Sequence, residues 1–273
     1  ISGGPLVPDL TGLVTDGPLT RSVADAALLL DVMTGNQPGD MYTQPPLPAG
    51  ETFLGCASRP PGRLRIARTL QHPIEGAAVH PDCVAAYEDA SRLLASLGHE
   101  IEDIALPLGE DIVPFFEIIY YAYATLTPVD PSQEHVLLPL TRYLRERGRA
   151  IAAPDFIFAQ AYMQFVVRIA VATLGAYDAI LTPTLATPPV PVGYFDEVDP
   201  AENFERQKRF TPFTAIYNTS GLPAVSVPLH WTAEGLPIGV MLAGRMGDEA
   251  TLISLSAQLE EARPWKDRHP PLW

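Results

Sequence analysis

The sequence predicts an α/β fold of the layered α/β/α kind, built on a mixed, mostly parallel sheet. Three observations carry this. Strand-length apolar runs alternate along the chain with helix-length amphipathic ones, the order that lays helices on the faces of a sheet. The runs Ala224–Leu229 and Ile238–Ala243 are apolar at most positions, without clean period-two alternation. That suits central strands covered on both faces. The helical segments carry apolar stripes at spacings of three and four, so each has one face to bury.

Leu6 to Gly12 reads as a loop from its Pro and Gly. A helix starts near Ser22, capped by Ser22 or Thr20. Val23, Ala26, Ala27, Leu30 and Met33 keep helical spacing, and Gly35 stops it. Asn36 to Pro61 is rich in Pro, Gly and polar residues and reads as one long loop. Arg63–Thr69 alternates as a strand. Pro81–Leu97 is a helix, with Val84, Tyr87, Ala90, Leu93 and Leu94 on one stripe and Gly98 closing it. His99–Leu106 reads as a strand from Ile101, Ile104 and Leu106.

Asp111–Ala124 is apolar and aromatic; its pattern fits helix or strand, and its length favours helix. Pro139–Arg149 is a short charged helix. A longer one follows over Phe156–Leu174, with Asp155 expected at its cap and Gly175 at its end. Tyr177–Leu185 is a strand, Glu202–Arg209 a polar helix, and Asp248–Glu261 the last helix. Between the last two lies Phe213–Arg245, around which the chain is organised: a turn, a strand, the polar loop Thr232–Gly235 and a second strand.

Composition narrows the function. The net charge is −14, from 18 Lys and Arg against 32 Asp and Glu. Phosphate binding needs clustered basic residues, so a nucleic-acid partner is not expected, nor an anionic membrane surface. No apolar run reads as membrane-spanning and no signal peptide is seen. The 29 prolines gather in stretches such as Pro45–Pro48 and Pro188–Pro191, which read as stiff connectors. Cys56 and Cys83 are the only cysteines. They make no disulfide framework, although a single bridge between them stays open, and the setting reads as reducing and cytoplasmic. The first residue is Ile, not Met, which suggests a fragment.

Three stretches carry a family resemblance. Asn218-Thr219-Ser220-Gly221-Leu222-Pro223-Ala224-Val225-Ser226-Val227-Pro228, followed by Gly235-Leu236-Pro237-Ile238-Gly239-Val240, resembles the C-terminal core of the amidase signature family. Thr15-Asp16-Gly17-Pro18-Leu19-Thr20-Arg21-Ser22-Val23-Ala24-Asp25-Ala26 resembles the segment that follows that family's catalytic core. Asp178-Ala179-Ile180-Leu181-Thr182-Pro183-Thr184 resembles its D-x-x-x-x-P-T strand end. The resemblance covers nearly the whole chain and is loosest from Glu110 to Pro154. It implies a single partial domain over residues 1–273, with a variable helical insert over 110–154.

The resemblance also implies a cofactor-free hydrolase of carboxamide C–N bonds. Its nucleophilic Ser, bridging Ser and Lys base would lie upstream of residue 1, on a segment that would be this chain's partner. No residue here matches them. Lys208, in Glu205-Arg206-Gln207-Lys208-Arg209, reads as part of a solvated face, and Lys266 lies in a Pro-rich tail. A lysine base must be desolvated to lose its proton near neutral pH. Ser2-Gly3-Gly4 is too short for an oxyanion loop. His72, His80, His99, His135, His230 and His269 lack ligand spacing, so no metal is expected. His80 reads as a helix entry, Asp178 as a cap or ion-pair partner, and Asp16 and Asp25 as turn and helix-surface residues.

The chain is therefore expected to supply scaffold and pocket wall. The aromatic segment Phe115–Tyr123 is the candidate acyl-pocket wall, with Phe116, Tyr120 and Tyr123 as its contact residues; a plain core helix explains it equally well. Thr184, Asn218 and Thr219 stand at strand ends or turns, where α/β sites gather. A small-molecule amide is the expected substrate. Two other functions fit the scaffold: the part of an amidotransferase that works on charged tRNA, and a non-catalytic binding or assembly module. Missing sheet neighbours would also leave an open edge, so a homo-oligomer is expected.

Overall fold

The computed structural model describes residues 1 and 11–270. Ser2-Gly3-Gly4 and most of the Leu6–Gly12 loop lie outside the described residues. Five strands form one sheet: β1 (Arg65–Arg68), β2 (Glu100–Asp103), β3 (Ala179–Pro183), β4 (Ala224–Trp231) and β5 (Pro237–Gly244), in the order β2-β1-β3-β5-β4. β1 pairs in parallel with β2 and β3, whereas β5 runs antiparallel to both β3 and β4. Four strands thus point one way, and only β5, the return limb of the hairpin, points the other.

Helices cover both faces. On one lie α1 (Val23–Met33), α2 (Phe53–Ala57), α3 (Pro81–Ser96) and α9 (Glu249–Ala262), sealing a core that includes Ala27, Leu94, Leu181, Leu242 and Leu255. On the other, the C-terminal end of α6 (Ala153–Leu174) and the short α8 (Ala215–Ser220) pack over Ala67, Ile180, Met241 and Ala243. Beyond α6 stand α4 (Val113–Tyr123), α5 (Pro139–Arg149) and α7 (Pro200–Phe210), with two small apolar clusters of their own.

Local chemistry accounts for most boundaries. Ser22 caps α1 by accepting from the Asp25 N–H, and its own hydroxyl donates to the Asp25 carboxylate. Asp199 caps α7 by accepting from the N–H groups of Ala201 and Glu202. Asp248 caps α9 through the Thr251 N–H. His80 does enter α3, its Nδ1 accepting from the Asp82 N–H. Asp178 accepts from the Arg65 N–H at 2.7 Å and pairs with Arg245 at 2.9 Å, tying β1 to β3 and to the end of β5.

Four expectations need correction. The Asn36–Pro61 loop contains α2, capped by Thr52 through the Gly55 N–H; five residues are too few to show a period. Phe213–Tyr217 is not simply a turn, because α8 starts at Ala215 and runs to Ser220. Gly221 ends it at φ 69°, a left-handed conformation that favours glycine. α6 starts at Ala153, and Asp155 sits inside its first turn rather than at its cap. Pro154 is tolerated there, since the first-turn N–H groups have no helical partner. β4, expected in the centre, is an outer strand among the described residues, opposite β2, with Ala224 and Ser226 exposed. Pro228 lies within it at a register shift between Val227 and His230, and a strand proline is confined to edges and bulges.

α6 also departs from the reading that no segment is long and apolar enough to span a membrane. By length and composition it qualifies, with 28% of its apolar window buried. Ala159, Met163, Val167, Ala170 and Leu174 face inward, while Ile157, Phe158, Phe165 and Ile169 are exposed. Cys56 and Cys83 are both buried free thiols.

The α4–α5 contact fixes the aromatic wall described below. Arg145 of α5 is 4% exposed and donates to the carbonyls of Ala124 and Thr127, just past the end of α4. It also pairs with Glu134 at 2.9 Å. Gly148, one turn on, lies so close to α4 that an added Cβ would stand 2.1 Å from the Tyr121 carbonyl oxygen.

Candidate functional site

A cleft of about 250 Å³ opens between α4, α6, α7 and α8. Its apolar wall begins on α4. Phe116 and Tyr120, four residues apart, fall on one face of the helix and stack at 5.7 Å. Tyr120 stacks in turn on Phe204 of α7, also at 5.7 Å. Met163 of α6 and Ile216 of α8 complete the apolar lining. Few polar groups converge on this surface, which is the usual make-up of a small-molecule site.

α8 supplies two of them, Asn218 and Thr219. The Asn218 side-chain amide donates to the Leu13 carbonyl at 2.9 Å, binding the N-terminal segment to the cleft wall. The Thr219 hydroxyl turns back into its own helix, donating to Ala215 and Ile216 carbonyls. α7 supplies Gln207 and Lys208, and its C-cap supplies Thr211. Phe204, Lys208 and Thr211 keep a spacing of four and three, so α7 presents one continuous stripe to the cleft.

Lys208 corrects the sequence reading of a solvated face. Its side chain is 14% exposed, because α7 turns that residue toward α4. Its ammonium bonds Glu117 of α4 and lies 2.6 Å from Glu205 one turn before it. Burial alone would lower the Lys208 pKa, but the bonds to Glu117 and Glu205 outweigh it and hold the group above the ordinary lysine value. Lys208 therefore stays protonated at neutral pH and is no general base. Lys266 is exposed on the tail.

The structure thus brings Phe116, Tyr120, Asn218 and Thr219 together on one cleft and leaves out Tyr123 and Thr184. The Tyr120–Phe204 stack ends the aromatic wall one turn before Tyr123. Thr184 lies at the end of β3, hydroxyl to hydroxyl with Ser226 of β4 at 2.7 Å. Gly239 of β5 makes room for that pair, since a Cβ there would come within 2.5 Å of the Ser226 oxygen. Thr184 is thus a cross-strand tie in the sheet. Among the described residues, no group of three or more His, Cys, Asp or Glu is placed to hold a metal. Sequence reading missed Phe204, Gln207, Lys208, Met163 and Ile216. The α7 stripe could have flagged the first three; nothing local flags the others.

A layered α/β sheet flanked by a mostly apolar cleft with a few polar groups is a usual setting for a small-molecule site. A family model described as Amidase matches residues 1–253, and the chain belongs to that family, the amidase signature enzymes. It is 31% identical to the 6-aminohexanoate-cyclic-dimer hydrolase of Pseudomonas sp. strain NK87, a match taking in 100% of this chain and 59% of that protein. A solved structure of 6-aminohexanoate cyclic dimer hydrolase complexed with substrate superposes with a TM-score of 0.78 at 26% identity, over 92% of this chain and 55% of that one. A bacterial aryl acylamidase of the amidase signature family shares the fold, with a TM-score of 0.71 at 20% identity over 92% of this chain and 54% of that one. The chain thus spans little more than half the length of these relatives.

Proposed function

We propose that this chain is the pocket-bearing part of a cofactor-free amidase that hydrolyses carboxamides, and that the α4–α7–α8 cleft holds the acyl group of the substrate. The observation that carries the reading is the cleft itself: an apolar trough of about 250 Å³ in a chain of the amidase family. Amide hydrolysis needs a nucleophile, a base and donors for the oxyanion, acting as one unit. The two lysines fit a division of labour in which those groups come from a segment upstream of Ile1. One is held protonated by two carboxylates and the other is exposed. The tRNA-amidotransferase reading is disfavoured by the net charge of −14, and no observed feature favours a non-catalytic module. Buried free Cys56 and Cys83 fit a reducing, cytoplasmic setting.

The test compares the isolated chain with the same chain carrying the upstream segment. Ammonia release from hexanamide is expected at background for the first and well above it for the second. Changing Phe116 or Tyr120 to Ala in the active form is expected to reorder the preference among aliphatic and aromatic amides. Serine-reagent-sensitive turnover by the isolated chain would overturn the division of labour, and an unchanged order would overturn the pocket.

The open edge of β4 carries one more expectation. Unpaired strand edges recruit other chains. Sedimentation of the isolated chain is expected to show dimers at micromolar concentration, and a monomer at every dilution and concentration would count against it.

A further inference from the structure

Lys208 is the one charged side chain among the described residues that line the cleft. Two of its three ammonium protons are engaged by Glu117 and Glu205. Its Nζ lies 5.3 Å from the centroid of the Phe204 ring, and Phe204 is itself cleft wall. That leaves one ammonium proton without a carboxylate partner, beside an apolar ring of the wall. Most neutral side-chain donors on the wall have partners within the chain, the Tyr120 hydroxyl and one amide proton each of Asn218 and Gln207 excepted. The Asn218 amide serves Leu13, the Gln207 amide serves Asn203, and the hydroxyls of Thr214 and Thr219 serve backbone carbonyls of their own segments. The trough thus offers one cationic donor at one place.

The charges around that donor decide what it can accept. Glu117, Glu205 and Lys208 sum to −1. A substrate carboxylate at about 2.8 Å from Nζ would gain an attraction slightly more than cancelled by two carboxylates at about 5 Å, since Coulomb energies scale inversely with distance. The cost of desolvating its charge would remain. A neutral carbonyl would form the same charge-assisted hydrogen bond at far smaller desolvation cost. A methyl end would gain only apolar contact.

We propose that Lys208, fixed by Glu117 and Glu205, is a specificity-determining residue that donates to an uncharged carbonyl on the far end of the acyl chain. The cleft then selects amides bearing a second neutral amide over those ending in a methyl or a carboxylate. This rests on the reading of the cleft as the acyl pocket of an amidase.

The experiment uses the complete enzyme and three six-carbon amides: hexanamide, adipamide and the monoamide of adipic acid. After correction for its two equivalent ends, adipamide is expected to exceed hexanamide in kcat/KM by roughly tenfold or more, the usual worth of a hydrogen bond from a charged donor. The monoamide should do no better than hexanamide. Lys208→Met strands two carboxylates and can fail to fold, so Lys208→Met is also made together with Glu117→Gln. In either variant that folds, the adipamide-to-hexanamide ratio should fall toward one, whatever the absolute rates; a structural role would lower both rates alike. A wild-type ratio near one, or a ratio that survives loss of Lys208, overturns the inference while hexanamide turnover leaves the amidase reading intact. Failure to hydrolyse any of the three overturns both.

Discussion

Replacing Gly148 with Ala is expected to unfold the chain at markedly lower denaturant. Gly148 has an ordinary helical backbone, so the effect does not come from conformational freedom. It comes from contact. A Cβ would lie 2.1 Å from the Tyr121 carbonyl oxygen and 2.8 Å from both the Tyr121 carbonyl carbon and Thr125 Cγ2. The nearest obstacle is backbone on a helix that cannot shift alone, because α4 is also packed against α6. Forced overpacking of this kind costs about 3 kcal/mol at its upper range. Thermal unfolding should move down by about 6–12 °C in a domain of this size. α4 also carries Phe116 and Tyr120, so the cleft should deform in whatever fraction remains folded. A shift below about 1 °C in Tm would mean that α4 and α5 are not so closely apposed.

The second large effect is expected at Arg145. Substitution by Met keeps much of the side-chain volume and removes the guanidinium. Two main-chain carbonyls, of Ala124 and Thr127, then lose their donor, and Glu134 loses its better-buried partner. Each stranded carbonyl costs about 1–3 kcal/mol, while Glu134, 21% exposed, keeps Arg149 and adds little. Arg149 supplies the control. It also pairs with Glu134, but its side chain is 53% exposed, and Arg149→Met should cost no more than about 1 kcal/mol. Equal losses for the two variants, read from urea midpoints, would show that burial does not separate them.

Much of the fold was legible because its signals are local. α1 and α3 announce themselves by stripe, entry residue and terminating glycine. β3 and β5 announce themselves by short apolar runs between turn residues. The failures have physical reasons. α2 and α8 are shorter than two helical turns, so periodicity had nothing to act on. β4 was placed centrally because Val and Leu dominate it; Pro228 was the contrary sign, since a residue without an N–H does not belong in a central ladder. The lining of the candidate cleft was half legible. Phe116 and Tyr120 could be picked from aromatic spacing, and Asn218 and Thr219 from their place before the hairpin. The environment of Lys208 could not be read, because Glu117 stands 91 residues away and only the packing of α4 on α7 brings the two together. Gly148 was equally silent, since its need for a bare Cα is set wholly by another helix.

Pro228 has a consequence beyond marking β4 as an outer strand. A chain adding to this edge can run in regular register along Ala224–Val227 and no further, because the ladder shifts between Val227 and His230. Proline offers no amide hydrogen to continue it, and the irregular spacing spoils the match for a long flat strand. Regular pairing of a long, flat strand along β4 is therefore disfavoured, whereas β2, the other outer strand of the five, is kept short and acidic instead.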